Sequence, residues 1–117
     1  HCMVYSLGCN GEIDFEQAMK ASNRNCTIIV MDPTGAQCNP QNKSCTAAVA
    51  KGWWFPTRDK LTRIGVRLEP IALGTGKDTH LEGQTFKTTT FSEIVDMFPP
   101  ANGVIDVLKI DIDRGEW

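Results

Sequence analysis

The sequence predicts an α/β domain built around an open, mostly parallel sheet. Strand, turn, helix and strand signals follow one another within about thirty residues at the start, the order of a βαβ unit. The run Cys26-Thr27-Ile28-Ile29-Val30-Met31 is apolar and of strand length, as expected of a strand buried on both faces. A further helix and a long apolar strand close the chain, supplying what a doubly wound sheet places beside its first strand.

Met3-Val4-Tyr5-Ser6-Leu7 is β-prone and is stopped by the turn-forming Gly8-Cys9-Asn10-Gly11. Asp14 and Gln17 have the spacing of a capping box. Phe15, Ala18 and Met19 recur at i, i+3 and i+4, which predicts a short helix reaching about Ser22. The second strand ends in Asp32-Pro33. Residues 34–51 are polar and read as loop, with a short helix over 44–50 as the alternative. Trp53-Trp54-Phe55-Pro56 reads as an apolar cluster packed on the sheet or its covering helices.

A third strand is expected within residues 67–73, stopped by Gly74-Thr75-Gly76, and a threonine-rich edge strand over 84–89. Thr90 and Glu93 make a second capping box. Phe91, Ile94, Val95 and Phe98 then fall at i, i+3, i+4 and i+7, and Pro99-Pro100 ends the helix. The last strand, within residues 104–113, is apolar enough for an interior position. Such a strand left at an edge invites aggregation, so the domain is expected to continue past Trp117.

At 117 residues the chain has room for one core, and its 41% hydrophobic and 22% charged content is that of an ordinary globular protein. A net charge of -2 offers no basic stripe to phosphates, which argues against a nucleic-acid partner. The apolar runs are too short to cross a bilayer, so no membrane span is expected within this segment. The five cysteines, Cys2, Cys9, Cys26, Cys38 and Cys45, match no zinc spacing. His1 and His80 do not cluster with them, so no metal held by cysteine and histidine is expected. Asn25-Cys26-Thr27 and Asn42-Lys43-Ser44 fit the N-glycosylation pattern, a short motif that also arises by chance and matters only in a secretory compartment.

The cysteine spacing makes a register argument. Cys2 precedes Gly8 by the same six residues that separate Cys26 from Asp32, so adjacent parallel strands would set the two cysteines level. Neighbouring strands run about 4.8 Å apart, inside the reach of a disulfide. The pair would be bridged in a secretory lumen and packed as thiols in a reducing cytosol.

Open parallel sheets bind ligands outside the carboxyl ends of their strands, where strand order reverses. Gly8 and Gly11 let the backbone approach a ligand there, although a tight turn that binds nothing needs the same residues. Asp32 ends the second strand where an acid can accept hydrogen bonds from both hydroxyls of a ribose; Asp32-Pro33-Thr34-Gly35 is also a good turn sequence. Side chains alternate along the last strand, so Lys109, Asp111 and Asp113 share one face and the two acids meet the rim. One of them could take a proton from a substrate hydroxyl, or the pair could help hold a divalent metal. The alternative is that Asp111 pairs with Lys109 and Asp113 caps a following helix.

At these residues the chain resembles a known family. Val107-Leu108-Lys109-Ile110-Asp111-Ile112-Asp113-Arg114-Gly115-Glu116-Trp117 is similar to the closing signature of FkbM-type methyltransferases. Cys2-Met3-Val4-Tyr5-Ser6-Leu7-Gly8, Asp14-Phe15-Glu16 and Ile29-Val30-Met31-Asp32-Pro33-Thr34 resemble the opening of the methyltransferase-like branch. Ile71-Ala72-Leu73-Gly74 and Thr90-Phe91-Ser92-Glu93-Ile94 resemble its intermediate elements, in the right order.

The resemblance implies a Rossmann-like class I methyltransferase fold, a three-layer sandwich with parallel strand order 3-2-1-4. Residues 1–117 would be the N-terminal, cofactor-binding part of a single domain. It implies S-adenosylmethionine as methyl donor and a small-molecule or glycan-like acceptor whose oxygen attacks the methyl group. Ser6, Gly8, Cys9, Asn10 and Gly11 would cradle the methionine part, Asp32 with Pro33 the ribose, and Leu73 the border of the adenine. Asp111 and Asp113 would be catalytic. Ser6 stands where many class I enzymes carry an acid, and Asp113 and Arg114 replace the usual glutamate and glycine. Those departures keep open a methyltransferase-like domain that binds without turnover. A nicotinamide-dependent dehydrogenase would share Asp32 but should show a three-glycine fingerprint that is missing here.

Overall fold

The computed structural model describes residues 2–9, 12–32, 54–81 and 84–111. The elements are β1 (Cys2–Leu7), α1 (Asp14–Ser22), β2 (Cys26–Met31), α2 (Trp54–Arg63), β3 (Arg67–Glu69), β4 (Asp78–Leu81), β5 (Gln84–Lys87), α3 (Phe91–Met97) and β6 (Val107–Ile110). Strands β3, β2, β1 and β6 form a parallel sheet in that order, which is the expected 3-2-1-4 order with β6 as the fourth parallel strand.

The apolar runs bury both faces of this sheet. Val4, Ile28, Val30 and Leu68 point to one side, where Ile13, Phe15 and Met19 of the α1 region and Leu61 and Ile64 from α2 and its end cover them. Met3, Tyr5, Leu7, Ile29 and Met31 point to the other, under Ile94, Val95 and Phe98 of the α3 region. Among the described residues, two helices on one face and one on the other make the three layers. The crossover to α3 changes face, so strand order reverses between β1 and β6.

Local chemistry explains most boundaries. The Thr90 capping box forms as expected: its hydroxyl accepts from the Glu93 N–H at 3.2 Å, and the Glu93 carboxylate accepts from the Thr90 N–H at 3.1 Å. The expected Asp14 capping box does not form. Ile13 is the N-cap residue, without a side-chain cap, because its apolar side chain is drawn into the core and Asp14 becomes the first helical residue. Ala18, placed on the buried face by the periodicity, is exposed; that face instead carries Glu16.

Helix α2 was not expected. Its signals are Pro56 in the first turn, Lys60 and Arg63 in the last, and Gly65 beyond it at φ +80°. The Val66 N–H reaches the Leu61 carbonyl at 2.9 Å and the Gly65 N–H that of Thr62 at 3.0 Å, a Schellman ending with Val66 and Leu61 both in the core. The readings of residues 34–51 and of Trp53 lie outside the described residues.

The third strand lies within the expected 67–73 and is short, ending at Glu69 because Pro70 has no N–H to donate. The threonine-rich segment pairs antiparallel with Asp78–Leu81 as a two-stranded hairpin instead of joining the parallel sheet, touching the third-strand region through an isolated parallel bridge between Leu73 and Thr89. The last strand is likewise shorter than 104–113. Asp106 immediately precedes it, its carboxylate accepting from the Met3 N–H at 2.7 Å while its own N–H donates to the Met3 carbonyl at 2.9 Å.

Cys2 and Cys26 are level, as the spacing argument requires. They are register partners in the β1–β2 pair and are joined by a disulfide with a Cα separation of 4.2 Å.

Tyr5 is wholly buried, and its hydroxyl donates to the Phe98 carbonyl at the end of α3. Burial also pushes its pKa above the ordinary value. Tyr5→Phe should lower the stability of the full-length protein by about 1–2 kcal/mol, the cost of one lost hydrogen bond and a partly buried carbonyl left unpaired. Urea unfolding checks this; an unchanged midpoint would mean that water replaces the hydroxyl at no cost.

Candidate functional site

At the carboxyl end of β1 the chain must leave the sheet between two neighbouring strands, and Gly8 makes the turn at φ +87°. A side chain would be strained in that left-handed conformation. The Gly8 N–H donates to the Met31 carbonyl at 2.7 Å, and the next N–H, of Cys9, donates to Asp32 Oδ2 at 3.0 Å. Asp32 is only 3% exposed, and its own N–H donates to the Glu69 carbonyl at 3.1 Å. The acid ending β2 therefore organises the glycine turn directly. On the other side of β1, the Asp111 N–H donates to the Leu7 carbonyl at 2.8 Å, continuing the β1–β6 ladder one residue further.

Beneath this turn lies a buried polar knot. Ser6 and Lys109 are register partners on β1 and β6, and both point to the face covered by α1. Helix α1 brings Glu16 onto them. The Ser6 hydroxyl donates to Glu16 Oε1 at 2.5 Å, and Lys109 Nζ lies 3.4 Å from the same oxygen. Lys109 Nζ also donates to the Gly8 carbonyl at 3.2 Å and sits 5.6 Å from the centre of the Phe15 ring. Glu16 is fully buried, yet its second oxygen, Oε2, has no hydrogen-bond partner among the described residues.

Of the expected site residues, Ser6, Gly8, Cys9 and Asp32 are thus brought together at one strand end, with Asp111 one strand away. Leu73 is partly buried and packs against the cluster containing Leu7 and Met31, the residues just before the turn and Asp32. Asn10, Gly11, Pro33 and Asp113 lie outside the described residues. Asp111 is exposed, and Lys109 pairs with Glu16 rather than with it.

Glu16 and the role of Lys109 were not foreseen. The available signal was an acid at the centre of a helix face otherwise apolar, three residues after Ile13 and three before Met19. Among the described residues no group of three or more His, Cys, Asp or Glu is placed to hold a metal ion. A shallow concavity lined by Arg58, Thr62, Gly65, Arg67 and Glu69 lies along α2 and β3 and contains none of the expected site residues.

A methyltransferase-domain family model matches residues 1–117, so the chain belongs to that family. Neither the curated proteins nor the solved structures gave a match.

Lys109→Met should destabilise the full-length protein by about 2–3 kcal/mol. This is less than the roughly 3–5 kcal/mol of breaking a fully buried pair, because the Lys109 side chain is 24% exposed. Adding Glu16→Gln should recover most of the loss. A double-mutant cycle by urea unfolding checks this, and additive losses would show the two groups to be uncoupled.

Proposed function

We propose that this member of the methyltransferase family uses S-adenosylmethionine and transfers its methyl group to an oxygen of a small-molecule or glycan-like acceptor. The observation that carries the reading is the convergence, at the switch point, of a left-handed glycine turn, a buried acid bonded to that turn, and a buried carboxylate with an oxygen that lacks a partner among the described residues. Ligands of open parallel sheets bind in this crevice. The FkbM-type resemblance of residues 107–117 supports the same reading.

The residues fit such a donor. It carries an ammonium group, a ribose and an adenine. Glu16 offers an unsatisfied acceptor for a cation, and Ser6, standing where many class I enzymes have an acid, acts through Glu16 by holding its other oxygen. In this assignment the turn at Gly8 and Cys9, with Asn10 and Gly11, receives the methionine part; Asp32 with Pro33 receives the ribose; Leu73 borders the adenine.

The donor supplies a methyl group already activated on a sulfonium. The chain's task is then alignment, worth on the order of 7–11 kcal/mol when the reacting atoms are well oriented. Asp111 at the rim takes the proton from the acceptor hydroxyl, with Asp113 as the second candidate, adding about 10²–10⁴-fold. The departures at Ser6, Asp113 and Arg114 favour a second reading, a domain that binds the donor without turnover.

Calorimetry on the full-length protein should show S-adenosylmethionine or S-adenosylhomocysteine binding more tightly than NAD; the reverse order would refute the donor assignment. Asp32→Ala should weaken binding by about 1.5–3 kcal/mol, the range for hydrogen bonds to a charged group. Unchanged affinity would confine Asp32 to organising the turn. Asp111→Asn should abolish most methyl transfer while leaving donor binding intact, and undiminished turnover would remove it from the chemistry.

A further inference from the structure

The parallel sheet has two ends, and the proposed donor site occupies only one. At the other, the amino ends of β1 and β2, Cys2 and Cys26 are bridged. The residue before Cys26 is Asn25, exposed in the two-residue turn between α1 and β2. The residue after it is Thr27, also exposed. Asn25-Cys26-Thr27 is an N-glycosylation sequon, and its Asn and Thr are both exposed residues while the one between them is buried and bonded.

We propose that Asn25 is an N-glycan attachment site and that this domain matures in an oxidising secretory lumen. Two independent features converge on the same compartment. A disulfide between core strands persists where glutathione does not reduce it, and a sequon is used only where a lipid-linked oligosaccharide is available. The turn geometry accommodates the modification. The Asn25 backbone N–H donates to Asn23 Oδ1 at 3.0 Å, and no hydrogen bond engages the Asn25 side-chain amide among the described residues. Strands of six residues put the glycan about 20 Å from the Gly8 turn, so it would leave the crevice open.

Both covalent steps balance with lumenal reactants. Asn25 Nδ2 forms a bond to the anomeric carbon of a lipid diphosphate-linked sugar. The bond from that carbon to the phosphate oxygen breaks, the diphosphate lipid leaves, and the amide proton passes to the transferase. The Cys2 and Cys26 thiols give up two protons and two electrons to a disulfide donor of the thiol oxidoreductase class, which is reduced to its dithiol. Glycan transfer needs an extended segment and so precedes closure of the bridge.

The full-length protein, expressed in animal cells with its own N-terminal sequence, should be alkylated at once and mapped without reduction. Peptides are compared before and after N-glycanase, which leaves Asp at an occupied Asn. The expected result is a Cys2–Cys26 linked peptide and an N-glycanase-dependent conversion of Asn25. Occupancy should vanish in Thr27→Val and persist in Thr27→Ser. Because transfer precedes folding, a variant that folds poorly still reports. Unmodified Asn25 in protein with the bridge intact overturns the glycan site; alkylated thiols at Cys2 and Cys26 overturn the lumenal assignment. Neither outcome depends on whether the domain transfers methyl groups.

Discussion

The buried carboxylate of Glu16 constrains everything at the carboxyl end of this sheet. It stands in a helix face that packs on the core, so its charge must be compensated locally or α1 cannot seat. Ser6 and Lys109 provide the compensation from the two strands that flank the switch point, and Lys109 also bonds the Gly8 carbonyl. One side-chain knot therefore sets the height of α1, the register of β6 against β1, and the position of the turn above them. An apolar residue at position 16 would pack the helix as well, but would supply no negative group beneath the turn.

From that knot the ordering spreads along backbone hydrogen bonds. Gly8 and Cys9 are tied to Met31 and Asp32, Asp32 to Glu69, and Asp111 to Leu7. The ends of all four parallel strands are linked across a single rim, which is how a site on loops acquires the rigidity of the sheet below. At the amino ends, the Cys2–Cys26 bridge and the Lys20 ammonium on the Cys26 carbonyl hold β2 to β1 and α1. The sheet is thus clamped at both ends by different chemistry, polar and charged at the site and covalent at the base.

What the sequence made legible, and what it hid, follows from interaction range. The Thr90 capping box is local, and the Cys2–Cys26 pairing follows from equal spacing to two strand ends; both could be read from neighbours in the chain. Glu16 and Lys109 are 93 positions apart, and an acid in a first helical turn is ordinarily read as favourable to the helix dipole and exposed. Its burial exists only after β6 has paired with β1. The same tertiary demand displaced the Asp14 cap, because seating Ile13 in the core outweighs a side-chain cap worth about 1 kcal/mol. Helix α2 was missed for a different reason: Pro56 and the aromatic residues before it read as an apolar cluster with no helical period, while its Schellman ending at Gly65 needs Val66 and Leu61 to be packed together. Within the candidate site, Gly8, Asp32 and Asp111 were legible by strand-end position, whereas the Glu16–Lys109 pair beneath the turn was not.

The central claim is that this rim receives the methyl donor, with Glu16, through Ser6 and Lys109, presenting the acceptor for its charged end. A crystal structure of the full-length protein with S-adenosylhomocysteine tests that most directly. The predicted result is a nucleoside with its ribose hydroxyls on Asp32 and its amino group over the Gly8 turn, within hydrogen-bonding reach of Glu16. A ligand bound elsewhere, or bound here with Glu16 and Asp32 both out of contact, would contradict the account.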